Sequence, residues 1–388
     1  MAKVARAAQV RLPPILWVVL VAAVILYGSL YPWRFETGSS QASPLAVLLH
    51  SRVHLWNRWA FRDAAINLAL YVPLGLTAYL TLARRLPRWA ALAAAVVLGL
   101  ALSAGVEILQ VYVPGRTTSL SDVVFNVAGT AAGAGAALVF QGALERRFQR
   151  YGAADLFLLA FWAGYQLYPL FPVFGRTKLR YAFWAMANTN SLSGVEVWAT
   201  AAEWFAAALV LESLWGRLRG VWLLAAMACV PLRLFIVDRW LTLSEVLGAA
   251  LALLLWCGLP ERVRLRAALG MLASAILLRE LEPFHLSAEH SAFDWIPFRA
   301  ALGSEPHNAA LSMSRKTFEY GASVWLLRAR GISYLRGGLA VTASLAILEA
   351  VQCMLPGRLA EITDPLVASI MACLLWLLSD SRSPRGLG

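Results

Sequence analysis

Residues 88–124 read RWAALAAAVVLGLALSAGVEILQVYVPGRTTSLSDVV. About twenty apolar residues cross the hydrocarbon core of a bilayer as a helix, and the run from 90 to 113 predicts one such span. Its far end is polar. Glu107 and Gln110 are three residues apart, so they share one helical face. Pro114-Gly115 supplies a turn, after which Ser119 or Ser121 can cap the next helix. Asp122 then falls in a first helical turn, where the helix dipole favours a negative charge, and Asn126 lies one turn deeper.

The polar part of this stretch recurs. LEAVQCMLPGRLAEITDPL (348–366) matches VEILQVYVPGRTTSLSDVV (106–124) without a gap. Glu107, Gln110, Arg116 and Asp122 thereby fall on Glu349, Gln352, Arg358 and Asp364. CVPLRLFIVDRWLTLSEVL (229–247) is a weaker copy, keeping Arg239 and Glu245 but having Val230 and Arg233 in place of the Glu and Gln. The triplets Leu30-Tyr31-Pro32, Leu167-Tyr168-Pro169 and Leu281-Glu282-Pro283 mark the same threefold division. Together they predict three repeats, at 12–150, 151–260 and 261–388.

Working outward by span length gives an all-α, polytopic integral membrane protein of about 12 transmembrane helices in three parallel four-helix repeats. The expected spans are 15–31, 64–83, 90–113, 121–140, 154–173, 198–215, 220–237, 241–258, 267–283, 310–327, 335–355 and 363–379. An even number of spans per repeat puts all three motif loops on one side of the membrane. Composition agrees: 60% of the 388 residues are hydrophobic and 14% are charged, with mean hydropathy +0.64.

A net charge of +12 is compatible with a nucleic-acid partner, but the placement of the charges argues against one. Nineteen of the 34 basic residues and five of the 22 acids fall on one side of the expected topology. They include Arg84, Arg85 and Arg88, then Arg262, Arg264 and Arg266. The two sides carry +14 and −2, the signature of the positive-inside bias. Both termini are therefore expected in the cytoplasm. The run from Ile15 to Tyr31, after Lys3, Arg6 and Arg11, reads as an uncleaved anchor.

Smaller motifs fit the same picture. Cys229, Cys257, Cys353 and Cys373 stand singly in apolar runs and read as packing residues, with no disulfide or zinc pairing. Gly129-x-x-x-Gly133 reads as a helix-packing face. His50 and His54 have metal spacing only if helical, with no evident third ligand. Trp33, Trp56, Trp59 and Trp295 read as interface residues. No cofactor or metal is implied.

FRDAAINLALYVPLG (from Phe61), EILQ…PGR…SDVVFNVAG (ending at Gly129) and FDWIPF (from Phe293) resemble the VanZ-like membrane proteins, a family named for a teicoplanin-resistance factor. The resemblance covers 61–135 well and 293–379 moderately. The middle copy departs furthest, with Ala249 at the place of Asn126. The third has Ala368 there and, if Tyr71 corresponds to Tyr320, Lys316 at the place of Asn67. The resemblance implies a bacterial inner-membrane protein of the cell envelope.

Three helix ends are expected to gather Asp63, Asn67, Glu107, Gln110, Arg116, Asp122 and Asn126 in one outer-leaflet cluster, with Lys316, Glu349, Gln352, Arg358 and Asp364 as the third copy. Ionisable groups at membrane depth are costly and default to a functional reading. The structural alternative pairs Arg116 with Glu107 or Asp122 and uses the amides to cross-link helices. Three functions are open. The first is binding of membrane lipids, lipid-linked wall precursors or lipoglycopeptides. The second is an enzyme on a lipid-linked substrate, with Glu107 or Glu349 as general base. The third is a lipid transporter or scramblase.

Overall fold

The computed structural model describes residues 14–36, 43–51, 58–150, 152–168, 173–189, 192–215, 229–236, 239–287 and 291–379. Most of the expected span at 220–237, the terminal basic clusters, Arg217, Arg219, His54, Trp56 and Pro169 lie outside the described residues.

The described chain is helical, its one β feature an isolated parallel bridge between Asp294 and Glu361. The helices are α1 (Pro14–Leu30), α2 (Pro44–His50), α3 (Arg58–Leu82), α4 (Arg88–Gln110), α5 (Leu120–Arg150), α6 (Ala153–Leu167), α7 (Arg176–Ala187), α8 (Gly194–Trp215), α9 (Cys229–Arg233), α10 (Leu243–Gly258), α11 (Glu261–Leu281), α12 (Arg299–Gly303), α13 (Pro306–Ala329), α14 (Tyr334–Gln352) and α15 (Thr363–Leu378). Each expected span except 220–237 overlaps a helix, the one at 154–173 only as far as Leu167.

Among the described residues, five segments are long and apolar enough to cross a membrane: Asp63–Leu82, Arg88–Gln110, Leu120–Phe140, Gly194–Leu214 and Tyr334–Gln352. Ile15–Leu30, Ala153–Leu167, Leu243–Gly258 and Thr363–Leu378 are apolar but shorter. Helices α11 and α13 have the length, but Arg279 and Glu280 interrupt one and Arg315, Lys316 and Glu319 the other.

The chain divides into two compact units, residues 1–147 and 148–388. In the first, α1 packs on α3 and α4. Its core combines Ile25 with Tyr71, Leu74, Tyr79, Ala91, Ala95, Ala134 and Ala137. Helices α3 and α5 meet through glycines. A Cβ on Gly75 would lie 1.9 Å from the Thr130 carbonyl oxygen, and one on Gly129 or Gly133 would lie 2.1 or 2.0 Å from the carbonyl oxygens of Leu68 and Val72. Only a residue without a side chain allows that approach, which makes Gly129-x-x-x-Gly133 a packing face.

In the second unit α8 is central. It packs on α10 and α11, and α6 packs on α13. Ala199, Ala202, Trp204, Phe205, Ala206 and Val210 of α8 are almost wholly enclosed. Edge-to-face pairs join Trp204 to Trp162 at 5.1 Å and Phe205 to Trp256 at 5.2 Å, the arrangement that ring quadrupoles favour. The boundary expected at 260 is thus bridged by packing of α11 on α8. Cys257 and Cys373 are exposed on their helices rather than packed inside, because each falls on an outward-facing apolar stripe.

Candidate functional site

The geometry builds from the ends of helices, where the last carbonyls and first amides lack intrahelical partners. In the first unit α1 ends at Leu30, and two side chains from the motif satisfy its terminal carbonyls. Gln110 Nε2 donates to Ser29 O at 2.9 Å. Arg116 donates from Nη2 to Gly28 O at 3.2 Å and from Nε to Tyr31 O at 3.4 Å. A cation at a helix C-terminus is also favoured by the dipole. The Glu36 amide donates to Tyr112 O at 2.8 Å, closing the loop onto the end of α4. The turn needs Gly115, whose φ of 79° is left-handed.

Arg116 therefore does not pair with Glu107 or Asp122. The orphan carbonyls of α1 compete for the guanidinium and win. Glu107 is buried and works on the following loop, its Oε2 accepting the Ser119 amide at 2.9 Å. Asn126 Nδ2 donates to Ser103 Oγ at 2.9 Å, joining α5 to α4. Asp122 stands beside Asp63 and Asn67 of α3 and within electrostatic reach of Glu107. Of the seven residues expected in one cluster, the structure thus separates two that hold α1 (Gln110, Arg116) from an acidic group formed by Asp63, Asn67, Glu107 and Asp122. Asn126 is buried one turn below Asp122.

The same bonds occur in the second unit around residues 348–366. Gln352 Nε2 donates to Glu280 O at 3.3 Å and to Glu280 Oε2 at 2.6 Å. Arg358 donates from Nε to Glu282 O at 2.7 Å and from Nη2 to Arg279 O. The Ser287 amide donates to Met354 O at 2.8 Å. Glu349 Oε2 accepts the Glu361 amide at 2.9 Å. Gly357 is left-handed, with φ 73°. Around 229–247, Arg239 Nη2 donates to Tyr165 O at 2.9 Å and the Val173 amide to Phe235 O at 2.6 Å. There Arg233 reaches Gln166 Oε1 at 3.2 Å and pairs with Glu245.

The knots differ at the carboxylate that opens the last helix. Asp364 is 1% exposed. Lys316 Nζ lies 2.7 Å from both of its oxygens, and Tyr320 Oη donates to Oδ2 at 2.6 Å. Glu245 has Arg233. Asp122 has Asn67 and Asp63 of α3 beside it.

Sequence reasoning missed a buried ionic network in the second unit. Arg279 of α11 holds Glu196 in a fork, with Nε–Oε1 at 3.0 Å and Nη2–Oε2 at 2.7 Å. Its Nη1 lies 2.5 Å from both Glu203 and Glu319, and Arg315 lies 3.8 Å from Glu319. The signal was available: charges inside otherwise apolar runs are rare enough to demand partners. The FDWIPF stretch is a strap over the α14–α15 loop. The Asp294 amide donates to Ala360 O at 2.8 Å, the Ile362 amide to Asp294 O at 3.0 Å, and the Phe298 amide to Thr363 Oγ1 at 2.6 Å.

Glu107 and Glu349, the expected bases, each already accept a loop amide. Among the described residues no three His, Cys, Asp or Glu side chains are grouped to hold a metal, and His50 Nδ1 donates to Ala46 O at 2.7 Å.

No curated protein and no solved structure matches this chain. A family model does: residues 14–141 match VanZ/LLP1. The matched stretch is almost the whole first unit, including its Glu107–Asp122 knot, so this helical chain with apolar helices of spanning length carries a VanZ-like region.

Proposed function

We propose that the chain is a multi-pass protein of the bacterial inner membrane that binds or modulates cell-envelope lipids, lipid-linked wall precursors or lipoglycopeptides of the teicoplanin type. The match of residues 14–141 to VanZ/LLP1 carries this reading. It is supported by the position of the motif residues Glu107, Gln110 and Arg116 and their counterparts Glu349, Gln352 and Arg358, gathered where apolar helices end, whereas the Glu203–Arg279–Glu319 ion network lies deeper in α8 and α13. A midplane site on broken helices would instead suit ion-coupled transport.

The reading includes three parallel four-helix repeats with their motif loops outside and both termini inside. The recurrence of the arginine-to-carbonyl and loop-amide bonds at Arg116, Arg239 and Arg358 supports the repeats. An enzymatic reading with Glu107 or Glu349 as base is not favoured, since both carboxylates accept loop amides.

The test is direct. Protein purified gently from a bacterial host should retain envelope lipid or lipid-linked precursor, identified by native mass spectrometry. Cells expressing the chain should differ from empty-vector cells in susceptibility to a teicoplanin-type lipoglycopeptide. A chain that retains no lipid and leaves susceptibility unchanged would sink the proposal.

A further inference from the structure

Helix α7 turns part of its charge outward. Its sequence, RTKLRYAFWAMA, contains Arg176, Lys178 and Arg180, and from Leu156 to Val195 the chain has no Asp or Glu. The fold uses Lys178: its Nζ donates to Arg239 O and lies 4.1 Å from the centre of the Trp240 ring. Ala182, one turn on, is wholly buried, and α7 packs on α10. These residues form the inner face of the helix and tie it to the motif turn at 229–247.

The outer face is different. Residues 176, 180, 183 and 184 are spaced to share one side of a helix. All four are exposed, Phe183 by 55% and Trp184 by 66%. Two guanidiniums thus stand one turn apart in the first half of α7, and two large rings follow on the same side. A short helix that presents cations and aromatic rings together suits the plane of the membrane–water boundary. The rings call for apolar cover, and the guanidiniums call for an anion at the same depth. A lipid head group supplies both, with its phosphate above its acyl chains.

Placement adds to this. Since α7 is bonded to a motif turn, it lies on the motif side of the chain, which the charge bias expects outside. Lys and Arg in short loops are disfavoured there, yet α7 carries three and no acid.

We infer that the outer face of α7 is a binding site for a net-anionic phospholipid in the leaflet on the motif side. Arg176 and Arg180 receive the phosphate oxygens, whose geometry a guanidinium fork matches. Phe183 and Trp184 lie against the glycerol and the upper acyl chain. A zwitterionic head group brings its own ammonium beside the phosphate, which two guanidiniums repel, so phosphatidylglycerol is preferred to phosphatidylethanolamine. The inference deepens the proposed envelope-lipid reading and rests on it for the bilayer.

Full-length protein in detergent would be given equal amounts of phosphatidylglycerol and phosphatidylethanolamine. Bound lipid would be counted by native mass spectrometry, with and without glycerol 3-phosphate as competitor. Wild type is expected to retain phosphatidylglycerol preferentially and to keep it against the competitor. Arg176→Gln with Arg180→Gln should reduce that preference about thirtyfold, the worth of two cations near an anionic surface. Phe183→Ala with Trp184→Ala should reduce retention of both lipids. All four side chains are exposed, so both double variants should melt with wild type, separating loss of ligand from loss of fold.

Equal retention of the two lipids by wild type overturns the site while leaving envelope-lipid binding standing. So does an unchanged preference in the arginine pair, or unchanged retention in the aromatic pair. Displacement of phosphatidylglycerol by glycerol 3-phosphate overturns it in favour of a soluble phosphate. No retained lipid of either kind defeats this inference and the envelope-lipid reading together.

Discussion

A guanidinium on a residue only 6% exposed must be neutralised where it stands, and Arg279 has Glu196, Glu203 and Glu319 around it. Removing one side of a buried ion pair leaves an uncompensated charge and costs about 3–5 kcal/mol. Arg279→Met is therefore expected to destabilise the protein by about that amount, read as a lower thermal midpoint in detergent. Adding Glu203→Gln and Glu319→Gln should recover part of the loss, because the stranded carboxylates are then neutral. A single variant that melts with wild type would mean the network is not holding α8, α11 and α13 together. The partners were not legible in the sequence, since Glu196 and Glu203 lie 83 and 76 residues from Arg279. Arg116 was legible as chemistry but not as contact. Nearby acids suggested a salt bridge, whereas the free carbonyls at the end of α1 are a feature of the folded helix that no side-chain pattern displays.

At the scale of elements, the closest packing is α3 against α5. Gly133 is predicted to tolerate no side chain there, because a Cβ would meet the Val72 carbonyl oxygen at 2.0 Å, and that atom belongs to backbone. Gly133→Val should push the helices apart and cost at least about 1–3 kcal/mol. Gly135→Val, two residues on and with nothing within 4 Å, is the control. Equal thermal midpoints for the two variants would show that α3 and α5 do not meet through this face. The sequence displayed this packing surface as Gly129-x-x-x-Gly133 but not its partner, since Gly75 stands alone on α3. Helices α7 and α12 were not anticipated. They are 12 and five residues long, and a search for runs of spanning length passes over both. Exposed Tyr181, Phe183 and Trp184 on α7 are the kind of residues that favour a membrane interface.

For the whole molecule, the open quantity is orientation, and charge supplies the expectation. Arg84, Arg85 and Arg88 stand at or before the start of α4, Arg262 and Arg264 at the start of α11, and Arg328 and Arg330 at the end of α13. The motif turns that follow α4 and α14 use Arg116 and Arg358 to bind carbonyls. Insertion responds to Lys and Arg in short loops, so these clusters should stay in the cytoplasm and the three motif turns should emerge outside. In a background free of cysteine, Thr117→Cys, Trp240→Cys and Leu359→Cys are expected to react with an impermeant thiol reagent added to intact cells. Arg85→Cys, Arg262→Cys and Ile332→Cys are expected to react only after the membrane is opened. All six positions are exposed, so silence would report sidedness rather than burial. If Thr117→Cys and Trp240→Cys label from opposite sides, the repeats are not parallel and the middle knot has no share in an outer-leaflet site. If all six invert, the motif turns face the cytoplasm, and an action on wall precursors outside the cell would have no site to act from.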